Sequence, residues 1–125
     1  MSRLMSVAYT EQAVRDRTKT VTRRKGWLFA KPGDRITLCR KVMGRTKGEP
    51  LERIVDVEVV HVQRHPLSAL LTADPQEARD EVTMEGFPGM EPADFIRTFF
   101  IEAQGMSAAD MVTRIEWRYL DEVTS

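Results

Sequence analysis

The sequence predicts a mixed α/β fold, a small β-barrel flanked by short helices, and three observations carry that expectation. Residues 53–63 (RIVDVEVVHVQ) and 111–120 (MVTRIEWRYL) alternate apolar with polar side chains over long runs, the period of half-buried strands. Residues 92–104 (PADFIRTFFIEAQ) set Phe95, Ile96, Phe99 and Phe100 on one broad helical face. No internal repeat or low-complexity tract divides the 125 residues, so strands and helices are expected to share a single domain, 1–125.

In chain order, residues 3–9 read as a brief strand. Thr10 is placed to cap a short helix over TEQAVRDR, whose small apolar face is Ala13 and Val14. That helix stops near Thr18, where β-branched residues accumulate. KTVTR (19–23) is then a strand, with Lys19, Val21 and Arg23 on one side and Thr20, Thr22 and Arg24 on the other. Pro32 and Gly33 make KPGD a turn, since one fixes φ and the other accepts a positive φ.

RITLCRKV (35–42) is a second strand, with Ile36 and Leu38 opposite Thr37 and Cys39. It is expected to lie antiparallel to 53–63, beyond the polar, glycine-bearing loop GRTKGEP (44–50). Strict alternation within 53–63 puts Val55, Val57, Val59 and His61 on one face and Asp56, Glu58, Val60 and Val62 on the other. HPLSALLT supplies a turn or short helix; Asp74 as cap and Pro75 in the first turn open another. The run 111–120, with Ile115 and Trp117 facing the core, is expected to close the barrel.

Composition narrows the function classes. A hydrophobic fraction of 42% supports a real core, and 30% charged residues is ordinary for a soluble chain. One cysteine, Cys39, excludes an internal disulfide framework and reads as a buried structural thiol, with the cytoplasm as the simplest compartment. His61 and His65 are four apart, but a valine-rich strand and Pro66 break the helical geometry a metal pair would use. No metal or other cofactor is expected. No apolar run approaches 18 residues, so no membrane partner is expected either. The net charge of zero conceals a division: 15 Lys/Arg against 7 Asp/Glu in residues 1–65, and 4 against 12 in 66–125. That asymmetry predicts a basic patch and an anionic partner, unless the halves neutralise each other on packing.

Several of these segments together resemble a known family. K-T-V-T-R-R at 19–24, P-G-D-R-I at 32–36 and E-G-F at 85–87, with the opening helix, the aromatic-rich helix and the final strand, resemble the ASCH domain. This is a branch of the PUA-like superfamily of small β-barrels, and the likeness runs from about residue 5 to residue 119. The resemblance implies binding of RNA or of modified nucleotides. Some small members resemble hydrolases, one group removing the acyl group from N4-acetylcytidine and another assigned ribonuclease activity. The amidohydrolase pattern of a lysine, a threonine three positions later and a glutamate after the middle helix falls on Lys19, Thr22 and Glu85. The chain departs from that pattern at Arg24 and Trp27 and in a longer segment before the closing strand.

Ideal alternation sets Lys19 and Thr22 on opposite sides of their strand, so they act together only if the chain is irregular there. The Thr22 hydroxyl is a nucleophile only if a base reaches it. Lys19, Arg23 and Arg24 are candidate cations for a phosphate or a polar base edge, the arginine fork making the more directional contact. Alternation does not decide which arginine faces the pocket. Glu85, in a glycine-flanked loop, is a candidate acceptor for a base amino group or a proton carrier. Tyr9 and Trp27 are candidates for an aromatic platform beside the cations, whereas Phe87 and Trp117 read as core. The expected function is a pocket for a pyrimidine base, modified or not, in RNA, DNA or a nucleotide. The alternatives are hydrolysis of N4-acylated cytidine, metal-independent ribonuclease action, or an interaction module that does not bind nucleic acid.

Overall fold

Apolar alternation in the two longest strands sets the middle of the sheet. The computed structural model describes residues 3–120. Its elements are β1 (Arg3–Ser6), a 3-10 turn (Ala8–Thr10), α1 (Glu11–Arg15), β2 (Val21–Arg24), β3 (Arg35–Cys39) and β4 (Arg53–Pro66). They continue with α2 (Ala69–Thr72), α3 (Pro75–Met84), α4 (Pro92–Ile96), a π-helical segment (Arg97–Glu102) and β5 (Met111–Tyr119). The five strands form one curled sheet in the order β1–β3–β4–β5–β2, with β1 parallel to β3 and every other pair antiparallel.

The sheet separates two apolar clusters. On one face Met5, Val7, Ile36, Leu38, Val57, Val59, Ile115 and Trp117 pack together with Val14 of α1. On the other, Val112 meets Leu67, Leu70, Val82, Phe95, Ile96 and Phe100 from the helical half. β5 is therefore buried on both sides, and truncating Ile115, which has no exposed surface, would cost about 2–5 kcal/mol. Cys39 is likewise wholly buried, and burial raises its thiol pKa, as a structural role requires.

Four local expectations change. β4 carries a bulge: Val59 pairs with Trp117 and His61 with Glu116, leaving Val60 unpaired and 42% exposed. The extra residue reverses the alternation beyond it. His61 thus turns out toward Arg114, and Val62 turns in against the core. Thr10 does not cap α1, because its side chain makes no cap hydrogen bond and packs instead against Gly86. Asp74, by contrast, accepts from the amides of Gln76 and Glu77 as predicted. The aromatic-rich helix forms, but its second half takes the wider π pitch, which swings Phe99 and Phe100 toward the β1–β2 side.

Finally, β5 does not close a barrel. It lies inside the sheet between β4 and β2, and the edges β1 and β2 face each other without a backbone ladder among the described residues. The Arg24 side chain bridges that gap by donating to the Ser6 carbonyl at 2.6 Å. The result is a half-barrel with a seam, and the seam is where polar groups collect.

Candidate functional site

A cavity of about 200 Å³ opens at the seam. Ser6, Tyr9 and Thr10 line it from the β1 side, Lys19, Thr22, Arg23 and Arg24 from the β2 side, and Glu85 from the end of α3. Phe87, Phe95, Phe99 and Phe100 form an aromatic wall. Because β2 is an edge strand, residues from both of its faces reach this space. Lys19, Thr22, Arg23, Arg24, Glu85 and Tyr9 are thus brought together from segments far apart in sequence.

Lys19 escapes the alternation rule because β2 starts only at Val21. Its amide bonds to the Ala13 carbonyl and that of Thr20 to the Met84 carbonyl, so the chain is still leaving α1 at this point. Its Nζ donates to the carbonyls of Glu85 (2.6 Å) and Val21 (3.0 Å) and meets Glu85 Oε1 at 3.4 Å. An ammonium has three donors, and all three are used inside the protein. Lys19 is therefore a clamp before it is a ligand contact. Its own carbonyl accepts from Trp117 Nε1 (3.0 Å) and from the Tyr119 hydroxyl, which ties it to β5. Burial pushes the Lys19 pKa down to about 8; Glu85 opposes this, and Arg24 and Arg23 add to it.

Glu85 is the C-cap of α3 rather than a free loop residue. A carboxylate at a helix C-terminus is disfavoured by the helix dipole, and here Lys19 on one oxygen and Arg23 Nη1 (2.8 Å) on the other offset that cost. Gly86 follows with φ of +107°, and a Cβ there would stand 2.9 Å from Thr10 Cγ2. Only glycine lets the chain turn away from α3 this close to the 3-10 turn.

The two arginines divide their work. Arg23 pairs across the sheet with Arg114, and both send guanidinium groups to Glu81 of α3. Burial raises the Glu81 pKa, but the Arg114 and Arg23 hydrogen bonds outweigh it and hold the group at about 2. Lys19, Glu85, Arg23, Glu81 and Arg114 form one chain of alternating charge running through the seam. Arg24 belongs to no such pair. Its Nε meets Thr22 Oγ1 at 3.3 Å, its Nη2 meets the Ser6 carbonyl, and no carboxylate reaches it among the described residues. Burial lowers its pKa and the nearby Glu85 charge opposes this, so Arg24 is partly desolvated with no carboxylate in direct contact.

Tyr9 sits at the cavity mouth, 81% exposed, with its ring centroid 5.7 Å from that of Phe99. Phe87 stacks on Phe99 at 4.5 Å and belongs to the wall as well as the core. Trp27 is not brought to the cavity; it packs beside Phe29 early in the β2–β3 connection and lines a different cleft. Sequence reasoning missed Glu81, Arg114, Ser6, Phe99 and Gln104, the last of which also lines the cavity. Glu81 alone left a trace: two carboxylates at i and i+4 on one helix repel unless a cation lies between them.

Comparison with known proteins bears on the fold. No family model matches the chain, and no curated protein sequence matches it. Among solved structures, an ASCH domain from Lactobacillus crispatus is similar, at TM-score 0.57 and 14% identity, over 94% of this chain and 79% of that one. A protein of Enterococcus faecalis V583 is similar at TM-score 0.60 and 11% identity, over 97% and 77%. A protein described as hypothetical is similar at TM-score 0.51 and 17% identity, over 95% and 97%. Identities this low show a shared fold: a small mixed α/β domain with a curled five-stranded half-barrel, ASCH-like at a coarse level. Among the described residues, no helix is long and apolar enough to cross a membrane.

Proposed function

We propose that this PUA-like half-barrel binds a pyrimidine nucleotide, or a pyrimidine base extruded from RNA or DNA, in the seam cavity. The observation that carries the reading is Arg24, a half-buried guanidinium with no carboxylate in hydrogen-bond reach, placed in the same 200 Å³ space as Glu85. Burying an uncompensated charge is costly, and a ligand oxygen, from a phosphate or a base carbonyl, relieves that cost on binding. Glu85 keeps lone pairs beyond its two ion pairs and accepts from a base amino group. The phenylalanine wall supplies the apolar face on which a ring rests. A volume below the roughly 300–1,000 Å³ of drug-sized sites suits one base and excludes a stacked duplex.

A second reading, hydrolysis of the acyl amide on N4-acylated cytidine, is favoured by one further fact. Lys19, Thr22 and Glu85 line one cavity, with Lys19 Nζ 3.4 Å from a Glu85 oxygen and its pKa brought down to about 8. In that chemistry Lys19 gives up its long contact to Glu85 and polarises the amide carbonyl. Glu85 takes a proton from water as the oxygen adds to carbon, then passes it to N4 as the C–N bond breaks. Carboxylate and cytidine are the products, and the Thr22 hydroxyl orients the water.

Titration calorimetry with cytidine monophosphate tests the first reading, and chromatography of N4-acetylcytidine after incubation with the protein tests the second. Saturable binding lost in Arg24→Met supports the pocket; no heat of binding at millimolar nucleotide overturns it. Release of cytidine that stops in Lys19→Met and Glu85→Gln establishes the hydrolase, and intact substrate rules it out.

A further inference from the structure

The β2–β3 connection, left aside by the cavity, carries its own pattern. Trp27, Phe29, Lys31 and Arg35 share a second cleft of about 280 Å³ with Arg3 of β1. Three cations thus face one carboxylate, Asp34, and Asp34 is engaged with the Lys31 amide at 3.1 Å. Neither Arg3, Lys31 nor Arg35 has an ion-pair partner among the described residues. Elsewhere many cations are paired, Arg15 and Arg40 with Glu11 and Glu52, and Arg23 and Arg114 with Glu81 and Glu85. What sets this cleft apart is that three cations without ion-pair partners converge on one aromatic pair.

Of its two aromatic residues, Phe29 is presented to solvent, while Trp27 is half-buried and backs it against the core. Phe29 is 48% exposed, lies 5.1 Å from the Trp27 ring, and has the Arg3 guanidinium 3.8 Å from its centroid. Leu28 beside them is 72% exposed. Trp27 holds a left-handed φ of 60°, a conformation costly for a bulky residue and one that recurs where backbone is shaped for a ligand. The far end of the connection is pinned, with Gly33 and Asp34 exchanging 2.8 Å backbone hydrogen bonds with Val59.

We infer that this cleft is a platform for single-stranded nucleic acid, on which nucleotides next to the one held in the seam cavity stack against Phe29 and Trp27 while their phosphates meet Arg3, Lys31 and Arg35. Rings flanked by unpaired cations bind single strands because every base offers a flat face and every nucleotide a charge. Trp27 is three residues from Arg24, so their backbones are at most about 11 Å apart. A strand spans that distance in about three nucleotides at a rise of ~3.4 Å each. The inference rests on the nucleotide reading of the cavity for the placing of the strand, and its test separates the two.

The test is fluorescence anisotropy of a labelled ten-nucleotide single-stranded RNA, with the DNA of the same sequence alongside, across a salt series. Cytidine monophosphate calorimetry is run on the same proteins. Three phosphate contacts predict log Kobs falling against log salt with a slope near −2. Lys31→Glu with Arg35→Glu should weaken oligonucleotide binding at least about tenfold and flatten that slope by roughly 1.4, with mononucleotide affinity unchanged. Phe29→Ala should cost about tenfold without altering the slope. All three positions are exposed, so the fold is retained. Mononucleotide binding without oligonucleotide binding overturns the platform and spares the cavity. Oligonucleotide binding indifferent to the charge reversals overturns it too, as does capture of phosphatidylserine vesicles through these residues in place of the strand. Failure of both ligands ends both proposals.

Discussion

Replacing Glu85 with glutamine removes one negative charge from the middle of the seam and changes the shape of the side chain little. Its carboxylate meets Arg23 at 2.8 Å and Lys19 at 3.4 Å, and all three side chains are 3–4% exposed. Breaking a buried ion pair from one side costs about 3–5 kcal/mol, because the partner stays desolvated without compensation. Two features hold the cost to the lower end. Arg23 keeps Glu81, and Lys19 keeps two carbonyl acceptors. The expected loss is about 3 kcal/mol, which for a chain of this size lowers Tm by roughly 12 °C. Thermal melts and urea titrations at pH 7 measure it, with Glu77→Gln on the exposed face of α3 as a control expected to stay within about 0.5 kcal/mol. In the double variant with Lys19→Met, the two losses should fall short of additive by more than about 1 kcal/mol. A loss below about 1 kcal/mol in Glu85→Gln would mean that water screens the cluster, and the electrostatic account of the site would fail with it.

Other outcomes follow from the same geometry. Lys19 holds its proton with a pKa of about 8 in the fold against 10.5 in the unfolded chain, so between these values the unfolded chain binds more protons. Stability should rise with pH across that window by up to about 3 kcal/mol, and the difference between wild type and Lys19→Met in urea titrations from pH 7 to 10 isolates it. Arg24→Met should leave the unfolding free energy within about 1 kcal/mol, or raise it, while abolishing cytidine monophosphate binding, since a half-buried cation with no carboxylate in contact gives way to an apolar chain. A large stability loss there would show that the cation serves the fold. Gly86→Ala should cost about 1–3 kcal/mol in thermal unfolding, because the added Cβ meets Thr10 Cγ2 at 2.9 Å and the backbone needs a φ of +107°. A neutral result would mean the turn relaxes.

Much of the fold was legible because period-two and helical patterns report which side chains must leave water. β3, β4 and β5, the antiparallel β3–β4 pair, the Asp74 cap and α3 all follow from such local signals. Trp117 and Phe95 were legible as core for the same reason. The failures share a cause. Thr10 had the chemistry of a cap, but packing against Gly86 placed its side chain elsewhere. The bulge at Val60 inverts the far half of β4, and alternation has no means of counting an unpaired residue. Trp27 adjoins the cations in sequence, yet the connection carries it to a different cleft.

By itself the sequence determined the element types, the apolar faces that pair them and the stock of charges, since each depends on neighbours within a few residues. Only the tertiary structure decided which charges neutralise one another. It spends Lys19 and Arg23 on Glu85 and Glu81, leaves Arg24 without a counter-ion in the seam, and sets Arg3, Lys31 and Arg35 together at the surface. Those pairings join residues more than 50 positions apart, and a Coulomb interaction depends on distance and burial in space, which no local pattern encodes.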